Sequence, residues 1–133
     1  MSLERDTAFE MAASAIRFGR GITREVGMDL EDMGLRRVLV VTDAHLARLA
    51  PVATVRQSLD DAGVEHDLFD RVHVEPTDAS FRDAIQVATA GGYDGYVAVG
   101  GGSSIDTAKA ANLYASHPPA DFLDYVNAPI GRG

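Results

Sequence analysis

The chain contains no cysteine. That removes a disulfide framework and any thiolate metal site, and it fits a reducing compartment. Basic residues are few: 12 Lys and Arg stand against 20 Asp and Glu, a formal net charge of −8. Such a balance argues against a nucleic-acid groove or an anionic membrane surface as partner. It leaves room for one bound nucleotide, because a glycine loop holds phosphate through backbone dipoles. No apolar run approaches the length of a membrane span. The first residues, Met1 to Thr7, are polar and include acids, unlike a secretion signal or an organelle presequence. A cytoplasmic address is therefore the expectation. The histidines at 45, 66, 73 and 117 show no three- or four-residue spacing, so no helical two-histidine metal site is expected. No pair of carboxylates has a spacing that demands acid–base work, and no base accompanies a serine as a hydrolase triad would require.

What is present is the balance of a globular α/β domain. The chain has 133 residues, enough for one domain with a core, and 46% are hydrophobic. Residues 9–18 read as an extended arm ending at Gly19 and Gly21. Residues 22–33 read as a helix with Val26, Leu30 and Met33 on its inner face, stopped by Gly34. Residues 38–42 form a continuous apolar run suited to a strand buried on both faces. Pro51 opens a helix whose inner face is Val52, Val55, Leu59 and Ala62, and Gly63 ends it. Residues 64–69 read as a second strand and residues 70–77 as a connection. Thr77 or Asp78 caps a helix with Phe81, Ala84, Ile85 and Ala88 inward. Residues 96–99 read as a third buried strand. A helix then runs to about Ala115, broken at His117-Pro118-Pro119, with a short helical piece at 121–126. Strands separated by helices of this length imply a parallel sheet with right-handed crossovers.

The most informative stretch runs from Gly95 to Lys109, where an apolar run meets Gly100-Gly101-Gly102-Ser103-Ser104 and then a helical pattern. Three glycines can simply make a tight turn. Joined directly to hydroxyls and a helix start, they are better read as a phosphate cradle, since the backbone can approach an anion closely and the helix offers unpaired N–H groups. Ser103 and Ser104 can donate to phosphate or merely cap the helix. The spacing is not a Rossmann fingerprint: Ile105 stands where a small residue is needed, and the acid near Asp121 does not end a strand. Nor is it a Walker A loop, because Lys109 lies between Ala108 and Ala110. Ligands of open parallel sheets gather at the carboxyl ends of the strands. Asp43 and the Gly100–Ser104 loop both belong to that edge. Two readings of Asp43 stand side by side: it accepts hydrogen bonds from ribose hydroxyls, or it caps the segment starting at Ala44.

The stretch from Val99 to Lys109 resembles the nucleotide loop of the iron-containing alcohol dehydrogenase family. Residues 12–19, 25–30, 74–78, 109–116 and 121–131 carry the resemblance along nearly the whole chain, and residues 112–131 point to a branch that passes hydride between a hydroxy acid and an oxo acid. The resemblance implies a Rossmann-like, dehydroquinate synthase-like parallel-sheet domain binding NAD. Its cofactor-binding residues would be Asp43, Gly100, Gly101, Gly102, Ser103, Ser104 and Asp106. Asp43 would meet the adenosine ribose and favour NAD over NADP, and Asp106 would lie toward the nicotinamide, unless it only serves the helix dipole or pairs with Lys109. The family also has a helical domain holding a divalent metal, iron or zinc, through an aspartate and histidines. No part of this chain resembles that domain or the later cofactor segment. Residues 1–133 are thus expected to be an incomplete NAD-binding domain, inactive alone, with apolar surface exposed. The intact enzyme, a homo-oligomer, would transfer hydride from 4-hydroxybutyrate to bound NAD and on to 2-oxoglutarate. A relative acting on another small alcohol, or a nucleotide-binding module without chemistry, are the alternatives.

Overall fold

A computed structural model describes residues 14–131. Its centre is strand β1 (Arg37–Val41), whose Val38, Leu39, Val40 and Val41 are wholly buried. β-Branched side chains are stiff and suit a pleated surface, and a run apolar at every position must be covered on both faces. The structure does so. β1 pairs in parallel with β2 (Glu65–Phe69) and β3 (Gly95–Ala98), in the order β2-β1-β3. Side chains alternate across the sheet. Val38 and Val40 pack with Leu30, Val55, Leu59 and Val64 on one face, while Leu39 and Val41 pack with Phe69, Ala84, Ala88, Ala108 and Ala111 on the other. Burying each such Val or Leu contributes about 1.5–3 kcal/mol. The α/β parallel-sheet class read from the sequence is the observed one.

The helices divide between the two faces. Helices α1 (Val26–Asp32) and α2 (Ala50–Asp61) cover the first; α3 (Asp78–Gly91) and α4 (Gly102–Ser116) cover the second. Pro51 lies in the first turn of α2, and Val52, Val55, Ser58 and Leu59 are its buried residues. Thr77 caps α3 reciprocally with Ser80, which fixes where that helix begins. α4 ends at Ser116, before the two prolines, and a 3₁₀ turn, Phe122–Tyr125, comes next behind an Asp121 cap.

Several expectations change. The first helix is split: a 3₁₀ turn, Ile22–Glu25, precedes α1, and Met33 lies beyond its end with 71% exposure, so it is no core residue. β3 begins at Gly95 and is half-buried, because it has a strand neighbour on one side only among the described residues. Ser80, Ala84 and Ala88 are the buried residues of α3, with Phe81 and Ile85 only partly covered. Of the arm, residues 14–18 have no regular structure, with Arg17 bound to Glu25 and Asp29 and Phe18 fully exposed; residues 9–13 lie outside the described residues.

Close approach of α1 to α2 depends on one glycine. A Cβ on Gly27 would stand 2.0 Å from the Ser58 carbonyl oxygen. Ser58 Oγ accepts the Gly27 N–H at 2.9 Å and donates to the Arg24 carbonyl at 2.7 Å, knitting the two segments. Gly27→Ala is expected to destabilise the chain by about 1–3 kcal/mol, since backbone on both sides must shift; urea unfolding midpoints measure this.

The opposite, amino-terminal edge of the sheet is held by charge. Asp94 accepts the N–H groups of Arg36 and Arg37 at 2.9 and 3.0 Å, and these backbone bonds hold its pKa below the usual carboxylate value. Beyond the carboxyl end of β2, Asp83 is likewise lowered, through its hydrogen bonds from Arg71. Tyr93 donates to Asp67 at 2.6 Å; burial first, then this bond, pushes its phenol up to about 12. The two carboxylates favour the ionised form in the fold, so their contribution is complete above about pH 4 and fades as pH falls through their lowered values. Tyr93 favours its neutral form, so its contribution is complete below about pH 10 and is lost as pH rises toward 12. Stability measured against pH should therefore fall on both flanks, and Tyr93→Phe should flatten the alkaline one.

Candidate functional site

Thr42 directly follows β1 at the carboxyl edge of the sheet and is fully buried. Its N–H donates to the Phe69 carbonyl at 2.8 Å, its carbonyl accepts from Val72 N–H at 3.2 Å, and its Oγ1 donates to the Val99 carbonyl at 2.7 Å. One residue thereby joins the ends of all three strands. Asp43 leaves from one side of this junction and Gly100 from another.

Gly100 has φ +144°, a region side chains avoid. A Cβ there would come within 2.6 Å of Ser104 Oγ and 3.2 Å of Leu46 Cδ1. The chain can therefore turn directly from β3 into α4. No side chain caps α4, and its first bond links Ile105 N–H to the Gly101 carbonyl at 3.1 Å. The N–H groups of Gly102, Ser103 and Ser104 precede that bond and meet no acceptor among the described residues. They carry the positive end of the helix dipole.

These groups line a cavity of about 290 Å³, together with Asp43, Val72, Val74 and Gly101. Asp43 and the glycine loop are thus brought to one site. Asp43 Oδ1 accepts from His45 and Leu46 N–H, both at 2.8 Å, so the capping reading holds for that oxygen. Oδ2 has no hydrogen bond among the described residues. Ser103 Oγ donates to the Val74 carbonyl, which ties α4 to the β2–α3 connection and leaves the hydroxyl only its acceptor capacity. Ser104 is 2% exposed and its hydroxyl makes no hydrogen bond among the described residues, but the oxygen is not sealed from solvent, since no side-chain N or O there is both fully buried and unpaired. Asp106 is on the second turn of α4, exposed, away from the cavity lining, and makes no ion pair with Lys109.

Sequence reading missed Val72, Val74 and Thr42. The two valines lie in what reads as a mere connection, and their apolar character was the available signal. A larger hollow of about 540 Å³ lies at the opposite edge, lined by Gly34, Arg36, Arg37, Gly63 and Glu65 among others. It is flanked by helix carboxyl ends, whose dipoles repel anions. Among the described residues no group of three or more His, Asp or Glu is placed to hold a metal ion. No helix there is long and apolar enough to cross a membrane.

A parallel sheet with an uncapped, glycine-led helix at its carboxyl edge is shared with the amino-terminal domains of a dehydrogenase class. The model of that class, iron-containing alcohol dehydrogenase, matches residues 13–132, and the chain belongs to this family of oxidoreductases, which act on small molecules. Among curated proteins it is similar to mouse "Hydroxyacid-oxoacid transhydrogenase, mitochondrial", with 59% identity over 128 residues, 96% of this chain. It spans 28% of that relative's length. Among solved structures it resembles 1,3-propanediol oxidoreductase, at 33% identity and TM-score 0.71, covering 74% of this chain and 26% of the other. It also resembles NADH-dependent butanol dehydrogenase A from Thermotoga maritima, at 27% identity and TM-score 0.73, covering 80% and 27%. The cytoplasmic expectation is overturned by the mitochondrial designation of the matching relatives. Polar first residues in a chain spanning so small a share of its relatives carry no address, because a targeting segment is a separate stretch with its own composition.

Gly100→Ala is expected to destabilise the chain by about 1–3 kcal/mol, as both its dihedral and the Ser104 contact become strained. Gly101→Ala, where a Cβ meets nothing within 4 Å and φ is −91°, should be nearly neutral. Thermal unfolding of the pair measures the difference.

Proposed function

We propose that this chain is the nucleotide-binding part of an NAD-linked oxidoreductase that passes hydride from a hydroxy acid such as 4-hydroxybutyrate to an oxo acid such as 2-oxoglutarate. The observation that carries the reading is the set of open amides from Gly102 to Ser104, facing a cavity that also holds Asp43. Bound NAD supplies the nicotinamide that takes up and returns hydride. This chain's own residues do the holding. The amides of Gly102, Ser103 and Ser104 bind the diphosphate, and Gly101 leaves them room. The unpartnered Ser104 hydroxyl adds a donor. Asp43 Oδ2 accepts from a ribose hydroxyl, while Oδ1 keeps its turn in place.

The metal of the family does not fit here, because no group of three or more His, Asp or Glu among the described residues is placed to hold it. Residues elsewhere in the intact enzyme would hold it, in keeping with a chain that spans 28% of its mouse relative's length. Exposed Val74 and Ile105, 81% and 43%, stand beside the site and suit a covering domain. Similarity to propanediol and butanol enzymes keeps a simple alcohol as the second substrate reading. Asp106, exposed and uncommitted, is free to approach the nicotinamide side.

Charge decides the choice of nucleotide. At 4 Å and an effective dielectric of 20, two unit charges repel by about 4 kcal/mol, so Asp43 disfavours a 2′-phosphate. Titration calorimetry should show NAD binding more tightly than NADP. Asp43→Asn keeps the Oδ1 acceptor but loses the charge, and should narrow that preference by about tenfold or more. Equal affinity of the unaltered chain for both nucleotides, or for neither, contradicts the reading.

A further inference from the structure

We infer that Thr42 is a positioning residue of the nucleotide site, acting through the peptide plane between Val99 and Gly100; the inference rests on the nucleotide reading above. The Val99 N–H already donates to the Val41 carbonyl at 2.9 Å, the last ladder bond of the β1–β3 pair. The next group along the chain, the Val99 carbonyl just past β3, has left the ladder. It is held instead by Thr42 Oγ1 at 2.7 Å, from a residue with no exposure to solvent.

A trans peptide is planar, with its C=O and N–H pointing in opposite directions. Fixing the Val99 carbonyl toward β1 therefore fixes the Gly100 N–H away from it. It also sets the entry angle of the chain at Gly100, whose φ of +144° gives the loop its turn. Glycine has wide freedom in solution. A run of three would sample many loop shapes if its first peptide plane were not held. The Thr42 hydroxyl removes that freedom at one end of the loop, and the Ser103–Val74 bond removes it at the other. The amides of residues 102–104 are then aimed before any ligand arrives, which lowers the ordering cost of binding.

Thr42's backbone bonds to Phe69 and Val72 do not involve its side chain. Asp43 is held by its own bonds to His45 and Leu46. Removing only the hydroxyl should thus loosen the glycine loop and leave the ribose side alone. Thr42→Val has nearly the same shape, and Thr42→Ser keeps the hydroxyl.

The test compares the unaltered 133-residue chain with both variants. Nitrogen-15 relaxation reads order at residues 100–104, and titrations with ADP and with adenosine read the diphosphate and nucleoside parts separately. Thr42→Val should raise loop mobility and weaken ADP by about fivefold to tenfold, with adenosine within about twofold of normal. Thr42→Ser should restore both readouts. A Thr42→Val protein that melts earlier but keeps the original loop order and ADP affinity overturns the inference, since Thr42 would then be a stability residue only. Equal losses for ADP and adenosine overturn it too. If the unaltered chain takes no ADP, the nucleotide reading fails by itself, and loop order in the variants still decides whether Thr42 sets the loop. Thr42→Ala repeats the comparison should the valine variant not fold.

Discussion

A strand apolar at every position is the constraint on which this structure turns. Val38 to Val41 can be hidden only if layers cover both faces and strands pair along both edges. Parallel neighbours need long crossovers, and those crossovers are the helices that supply the two layers. All three strands then end at the same edge. The residues just past the strand ends must meet there: Asp43 after β1, Val72 and Val74 after β2, and Gly100 after β3. The site is a consequence of covering β1, not an addition to it.

Its chemistry suits a chain of formal charge −8. No lysine or arginine lines the cavity. Oriented amides at a helix start can receive a diphosphate without the long-range attraction that would gather polyanions. On the proposed reading, the neighbouring Asp43 carboxylate would then act as a filter against one phosphate too many. Small residues serve the same end from beneath: Ala108 and Ala111 let α4 lie close on the sheet, which keeps its first turn near the strand ends.

Much of this was legible in the residues. Val38 to Val41 declared a doubly buried strand, Pro51 and Thr77 declared helix starts, and three glycines before two serines declared the loop. The rest was hidden for physical reasons. Met33 has the right spacing for an inner face, but spacing does not tell where a helix stops. β3 has the composition of a buried strand, yet its exposure depends on which neighbours it has. Asp43 could be read as ribose acceptor or cap because one carboxylate has two oxygens; one caps, and the other is open. Thr42 looked like the last residue of a strand. Its hydroxyl bond to Val99 spans 57 residues, which local pattern cannot reveal. Address failed outright, since the polarity of the first residues says nothing about a separate targeting stretch.

The central claim is that main-chain amides at the start of α4 receive a diphosphate. Amide chemical-shift mapping of the nitrogen-15-labelled chain during addition of ADP tests it most directly. The largest shifts should fall on Gly101, Gly102, Ser103 and Ser104, with the hollow near Arg36 and Gly63 silent. Shifts concentrated at that opposite edge, or none at the glycine loop at millimolar ADP, would contradict the account.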